Sequence, residues 1–281
     1  MKRAWVTLFS EMSYLPGVLV LKKSLNHVGT AYPLVVMVTD AITPEARQVL
    51  KEAGCIVHEV EALMLPDPLN ASYAAPQFKH VWPKLRVYAM SDLELAVMMD
   101  ADMLVTRNMD ELFDIDLPPG TIAACHACRC NPHKRSTYPA DWVLENCGYV
   151  CGPPPLNGPF AMAAKDDYFN SGLFVLRPDA REYAALQDRL LSLDPAKPMP
   201  FADQDFLNDY YKGRWLKLPY IYNALKTLSS CHAEMWNTDD VKNIHYILDK
   251  PWNVQPASVR TDATLPYRDL VVRWWDVYQP A

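Results

Sequence analysis

Asp100-Ala101-Asp102 directly follows the apolar run Leu95-Ala96-Val97-Met98-Met99, so two carboxylates one residue apart emerge where a buried strand should end. Residues i and i+2 of an extended segment share a face. Both side chains can therefore meet one hard cation, which can in turn hold a diphosphate. The triplet alone does not separate a metal site from a solvated loop just past a strand.

Four further segments gather polar groups at the ends of predicted apolar elements, where an open parallel sheet has its ligand crevice. Phe169-Asn170-Ser171-Gly172 precedes a predicted strand, and its structural alternative is a turn exploiting the backbone freedom of Gly172. Ala202-Asp203-Gln204-Asp205 opens a predicted helix, where acidic residues would also serve as a cap against the dipole. Lys84, near the start of its helix, would ordinarily be a solvated lysine. His245-Tyr246 ends the run Val241-Lys242-Asn243-Ile244, with Lys250-Pro251-Trp252 close behind. A lone histidine at a strand end is more often structural than a ligand.

The elements that must position these groups alternate between strand and helix patterns, as crossover connections in a parallel sheet require. The strands are expected at Ala4 to Phe9, Pro33 to Thr39, Cys55 to Val60 and Leu95 to Met99. Helices are expected from Pro16 to His27 and from Pro44 to Ala53, the second capped by Thr43 and stopped by Gly54. A third helix is expected from Pro83 to Ser91. From Arg129 to Lys165 the periodicity dissolves into Pro, Gly, Cys and Tyr, including Gly152-Pro153-Pro154-Pro155, and predicts a long ordered loop. Such loops often carry specificity. Beyond it regular structure resumes with a strand at Leu173 to Leu176 and helices at Asp179 to Leu191 and Ala202 to Tyr211, followed by Trp215 to Leu218. The amphipathic tail, Leu265 to Tyr278, reads as a helix docked on the core rather than a membrane helix, because its polar face is not basic.

Bulk properties exclude some partners. The chain has 281 residues, is 50% hydrophobic and carries a formal charge of -6, so it can bury a large core but offers no field for a phosphate backbone. Nucleic acid is not an expected partner. Met1 to Phe9 is better read as a first strand than as a signal peptide, since Glu11 cuts the apolar stretch short and no small-residue cleavage site follows. No segment approaches the roughly 20 apolar residues of a membrane span. The expected location is cytoplasmic. Seven cysteines, an odd number in a chain this long, do not resemble a secreted disulfide framework.

Taken together, the segments resemble glycosyltransferase family eight, the glycogenin and galactinol synthase group of retaining, metal-dependent enzymes. The likeness rests on Val6-Thr7-Leu8 with Tyr14, Lys84-Leu85, Met99-Asp100-Ala101-Asp102, Phe169-Asn170-Ser171-Gly172, Asp203-Gln204 and His245 with Lys250-Pro251-Trp252, in the family's order. Within the family the chain looks closest to the galactinol synthase subgroup. The similar stretches include Ala31-Tyr32-Pro33-Leu34-Val35-Val36, Gly54-Cys55-Ile56-Val57, Pro200 to Asn208 and Trp274-Trp275-Asp276.

The resemblance implies an α/β fold of the glycosyltransferase A type: a Rossmann-like mixed sheet flanked by helices, in a single domain with a C-terminal helical extension. The nucleotide-binding half would cover about residues 1–105, the acceptor and donor-sugar half about 106–255, and the extension about 256–281. It implies a UDP-sugar donor, a small polyol or sugar acceptor, and Mn2+, with Mg2+ as the alternative, held by Asp100, Asp102 and His245. Such a donor set, oxygen-rich with one imidazole, suits Mn2+. Thr7, Leu8, Tyr14, Lys84, Ala101, Asn170, Ser171 and Lys250 would bind the donor. Asp203 and Gln204 would act at the sugar, and members of the family often dimerise.

Three departures from the family pattern stand out. The segment His245-Tyr246-Ile247-Leu248-Asp249-Lys250 is one residue short and lacks the usual glycine, which puts the diphosphate contact in question. Where an aspartate ordinarily contacts the donor sugar, the chain reads Ala124-Cys125-His126-Ala127-Cys128, so its donor choice is expected to differ. The position matching the self-glucosylated tyrosine, downstream of Leu218-Pro219-Tyr220-Ile221-Tyr222-Asn223, is Ser230. Self-priming by that route is not expected.

Cys125, Cys128, Cys130, Cys147 and Cys151, with His126 and His133 between them, crowd soft ligands into the long loop. A structural zinc site at Cys128, Cys130, Cys147 and Cys151 and a set of buried free thiols are both compatible with this spacing, which matches no common zinc module. Two rival functions remain. An Asp-x-Asp phosphohydrolase needs a nucleophilic aspartate at the end of the first strand, where this chain has Thr7-Leu8-Phe9. A catalytically weak nucleotide-sugar-binding or scaffold protein of the same fold would be consistent with the shortened segment.

Overall fold

The computed structural model describes residues 2–63, 65, 73–150, 154–157, 159–194 and 196–278. Its strands are β1 (Arg3–Phe9), β2 (Leu34–Val38), β3 (Ile56–Glu59), β4 (Leu95–Met99), β5 (Met103–Val105), β6 (Ile122–His126), β7 (Phe169–Leu176), β8 (Trp215–Leu218), β9 (Ala224–Leu225) and β10 (Asn243–His245). The main helices are α1 (Leu15–His27), α2 (Pro44–Glu52), α3 (Ala180–Leu191), α4 (Asp203–Tyr210), α5 (Leu228–Cys231) and, after a single turn at Pro256–Val259, α6 (Arg268–Tyr278).

A seven-stranded sheet runs β3-β2-β1-β4-β7-β6-β8, and a three-stranded sheet runs β5-β10-β9. Strands β3, β2, β1 and β4 are mutually parallel, whereas β7 is antiparallel to both β4 and β6, giving the mixed sheet expected. Both faces of this sheet are covered. Trp5, Phe9, Val36, Val97 and Val175 face a core shared with α1 and the small sheet, while Val6, Val35, Met98 and Phe174 face Trp82, Leu186 and Phe206. Burial on both sides explains why β2 and β4 read as unbroken apolar runs rather than alternating ones.

From β1 the chain steps outward to β2 and β3, then returns to the other side of β1 to form β4. The carboxyl ends of β1 and β4 therefore flank a topological switch point, where open α/β sheets bind ligands. Asp100 begins the turn after β4, and Ser10 to Tyr14 follow β1.

Three expectations need correction. The segment after Pro83 is a 3-10 run, Trp82–Ala89, closed by bonds such as Val81 O to Lys84 N at 2.9 Å rather than a regular α-helix. Phe169 to Gly172 do not precede β7 but form its first half. Gly172 has no positive φ; a Cβ there would lie 2.4 Å from His245 Cε1, so this glycine is needed for space and not for a turn. Residues 129–165 are largely irregular among the described residues, as expected, while Gly152 and Pro153 fall outside them. The tail docks as a helix: Trp274 is fully buried, and Trp275 Nε1 donates to Pro251 O at 3.0 Å.

Candidate active site

The turn after β4 is clamped from two directions. Asp100 N donates to Gly172 O of β7 at 2.7 Å, and α1 crosses so closely that a Cβ on Gly17 would lie 2.5 Å from Ala101 O. Just past the turn, β5 pairs antiparallel with β10 so that Met103 lies opposite His245. The ladder brings the histidine, distant in sequence, beside the two aspartates. His245 Nε2 is 3.2 Å from Asp102 Oδ1 and 3.8 Å from Asp100 Oδ2, and one ligand atom from each residue lies within 4.8 Å of the others.

The tautomer of that histidine follows from its neighbours. His245 Nδ1 is 2.8 Å from Asn223 Oδ1, while Asn223 Nδ2 donates to Asn170 Oδ1 at 2.8 Å. With the amide nitrogen committed elsewhere, the amide oxygen must accept, so Nδ1 carries a proton and Nε2 is the nitrogen that faces the aspartates. The line continues: Asn170 Nδ2 donates to Gln204 Oε1 at 2.8 Å, Gln204 Nε2 to Tyr168 Oη at 3.1 Å, and Tyr168 Oη to Asp205 Oδ1 at 2.6 Å. Every donor meets an acceptor, which fixes the orientation of each group.

Lys84 is buried rather than solvated. Its Nζ lies 2.9 Å from Asp100 Oδ1 and 2.8 Å from Asp203 Oδ2, and it donates to Ser171 O at 3.3 Å. Burial opposes its charge, but Asp100 and Asp203 outweigh that cost and hold the ammonium above its usual pKa. Ser171 Oγ donates to the same Asp203 Oδ2 at 3.0 Å. Burial, reinforced by Asp102, pushes the Asp100 carboxyl upward against the pull of Lys84. Burial opposes the charge on Asp102 as well, yet Lys250 and His245 prevail and hold that carboxyl well below the usual range. Lys250 Nζ donates directly to Asp102 Oδ2.

Two backbone features shape the site. Ala202, ahead of α4, has φ +47°, a conformation costly for a residue with a side chain, and this sharp entry leaves Asp203 and Gln204 buried beside β7. No side chain caps α4 from Ala202; Asp205 Oδ2 instead accepts from Phe201 N at 2.7 Å. In the short segment before Lys250, Leu248 takes φ +66°. With no glycine in this segment the left-handed bend is made by leucine, and Lys250 reaches Asp102.

These groups line a cavity of about 420 Å³, within the range of ligand sites. Leu8, Tyr14, Lys84, Asp100, Ala101, Asp102, Asn170, Ser171, Asp203, Gln204, His245 and Lys250 all border it. Thr7 does not: it is fully buried on β1, with no hydrogen-bond partner for Oγ1. His126 does not either, being packed edge-on against Trp215 and Tyr149. Ala127 and Cys128, next in the chain, do border the cavity. The sequence reading did not single out Asn223 as a site residue, nor Tyr168 or the aromatic wall of Tyr138, Trp142 and Phe201, in which Trp142 and Phe201 stack at 4.2 Å. Asn223 had one visible signal, an amide directly behind an apolar run.

At the switch point of the sheet, two aspartates and one histidine thus converge on the wall of a ligand-sized cavity that Lys84 and Lys250 also border. The sequence profile of glycosyl transferase family 8 matches residues 6–255, and the chain belongs to that family. It is 32% identical to galactinol synthase 1 of Arabidopsis thaliana over 281 residues, covering 98% of this chain and 78% of that one. Among solved structures it resembles the galactosyltransferase LgtC, crystallised with donor and acceptor sugar analogs, at a TM-score of 0.64 and 16% identity, over 99% of this chain and 97% of LgtC. It also resembles the glycosyltransferase GlyE of Streptococcus pneumoniae TIGR4 at a TM-score of 0.62 and 18% identity. That match covers 100% of this chain, which spans 62% of the GlyE chain. The two likenesses establish the glycosyltransferase A type of fold. No helix among the described residues is long and apolar enough to cross a membrane.

Proposed function

We propose that this chain is a retaining hexosyltransferase that moves a hexose from a UDP-sugar to a small polyol or sugar, in the manner of the galactinol synthases it resembles. The observation that carries the reading is the convergence of Asp100, Asp102 and the Nε2 nitrogen of His245 beside Lys250 at one cavity wall. Two carboxylates and a neutral imidazole fit Mn2+, with Mg2+ the alternative. When bound, the cation would act as Lewis acid for the departing diphosphate.

The chain's own residues divide the remaining work. Lys250, which donates to Asp102, would add positive charge as negative charge develops on UDP. Leu8 and Tyr14 would hold the nucleoside end. Lys84 would hold Asp100 and Asp203 in place. The Gln204 amide oxygen accepts two hydrogen bonds and the group is uncharged, which makes it a poor nucleophile; with Asp203 it would stabilise an oxocarbenium-like sugar. A same-face substitution, in which the leaving phosphate oxygen takes the acceptor proton, fits these groups better than a double displacement. The acceptor would enter over Tyr138 and Trp142, working within one catalytic domain that ends in the docked tail.

The test is UDP release and product formation from a panel of UDP-hexoses with myo-inositol, other polyols and simple sugars, with Mn2+ and with EDTA. Transfer of at least one hexose, dependent on the metal, is expected. UDP-sugar binding without transfer or hydrolysis would overturn the proposal in favour of a scaffold role.

A further inference from the structure

A second cluster of metal-ligand side chains lies apart from the aspartates. Cys128 and Cys130 follow β6, Cys147 ends a turn in the long loop, and His232 follows α5. Cys130 Sγ is 3.2 Å and Cys147 Sγ 3.4 Å from His232 Nε2, and one ligand atom from each of the four residues lies within 4.8 Å of the rest. A zinc ion with Zn–S of about 2.3 Å and Zn–N of about 2.0 Å would set tetrahedral S···N edges of about 3.5 Å. The observed spacing is thus close to the edges of such a tetrahedral shell.

From this geometry we infer a structural zinc site formed by Cys128, Cys130, Cys147 and His232. Three thiolates and an imidazole leave no open coordination position, which marks a structural rather than a catalytic ion. Cys128, Cys130 and Cys147 form no disulfide, and Cys231, whose Sγ lies 3.5 Å from that of Cys128, turns its own thiol to Thr227 O at 3.0 Å. Cys231 is therefore a neighbour and not a ligand. The backbone amides of Tyr149 and Arg129 face the Cys147 sulfur, the outer-shell donors a zinc-bound thiolate needs. Cys151 lies outside the described residues, and His232, from a different part of the chain, supplies the fourth ligand.

The ion has a place in the architecture. Cys128 borders the catalytic cavity together with Asn131, His133, Tyr138 and Trp142 of the same loop, and Thr227 borders it just before α5. Zinc at this point would fasten the irregular loop to α5, giving a wall with little regular structure a fixed shape. Uptake displaces thiol protons and couples the metal to the order of the loop.

Metal analysis of the intact protein, purified without chelator after growth with added zinc, tests the site. About one equivalent of zinc is expected, retained in Asp102→Ala and Cys231→Ser and reduced below about a tenth of an equivalent in Cys130→Ser and His232→Ala. Less than about a tenth of an equivalent in the unaltered protein, or zinc lost in Asp102→Ala but retained in His232→Ala, would overturn the inference. Should the cysteine and histidine variants fail to fold, cobalt substitution of the unaltered protein decides. Thiolate-to-cobalt charge transfer with tetrahedral ligand-field bands supports the site, and their absence refutes it.

Discussion

Asn223 Oδ1 accepts the Nδ1 proton of His245 at 2.8 Å, so an amide with no contact to the proposed cation decides which histidine nitrogen faces it. Asn223→Ala should weaken metal activation by about 10- to 100-fold, the usual effect of losing an outer-shell partner. Its fold should survive, since β10 remains paired with β5. Titration of activity and of bound Mn2+ against metal concentration checks this; an unchanged metal dependence would count against the assignment.

Asp102 and Gln204 should fail differently. Asp102→Ala should eliminate metal-dependent turnover, as should EDTA on the unaltered enzyme, whereas Gln204→Ala should slow transfer without abolishing it. Product formation under saturating donor separates the two. Equal, complete loss in both would favour a nucleophilic role at Gln204's position over same-face substitution.

Lys84 sits between two carboxylates, one of them fully buried. Lys84→Met should destabilise the fold by about 3 kcal/mol, because it leaves Asp203 buried beside Asp100 with no cation between them. Urea unfolding with and without Mn2+ measures the loss, which the metal should narrow by neutralising Asp100. A variant as stable as the parent in metal-free buffer would show that the pairing is not needed.

Lys226 gives the fold a dependence on alkaline pH. Burial, opposed by Asp249, lowers it from 10.5 to about 8, while its Nζ donates to Asp249 O at 2.5 Å. Between those values the unfolded chain keeps a proton that the folded chain has released, so this residue makes stability rise as pH increases from about 8 to about 10.5. Below pH 8 both states are charged and its contribution is constant. The rise is at most about 3 kcal/mol. Lys226→Met should remove it, and denaturation of both proteins at about pH 7 and about pH 10 would reveal a constant difference if Lys226 is not the source.

Strands such as β2 and β4 were legible because burial on both faces leaves an unbroken apolar signature. β4 and β8 fall where their residues place them, at Leu95–Met99 and Trp215–Leu218. The segments bordering the cavity were legible as polar groups at element ends, Lys84 and Asp203 among them. Periodicity carries no information about partners far away in the chain. Nothing local to Asn223 says that it will meet both His245 and Asn170, and nothing local to His232 says that it will join Cys130 and Cys147. Thr7 stands apart from the other expected donor residues: its side chain is fully buried within β1 and does not border the cavity. The 3-10 run at Trp82–Ala89 escaped because its apolar spacing is close to that of an α-helix, the two differing only in where each carbonyl finds its donor.

The antiparallel pairing of β5 with β10 also orders events in time. Met103 and Asn243 are 140 residues apart in the chain, and bringing together ends so distant costs about 4 kcal/mol of chain entropy. The parallel strands β1 to β4 can assemble from the first hundred residues as they are synthesised, but the binding centre closes only after the last third of the chain has arrived. A ligand that bridges Asp102 and His245 would thus act as a rivet between early and late parts of the molecule, and would shield the late part from proteolysis.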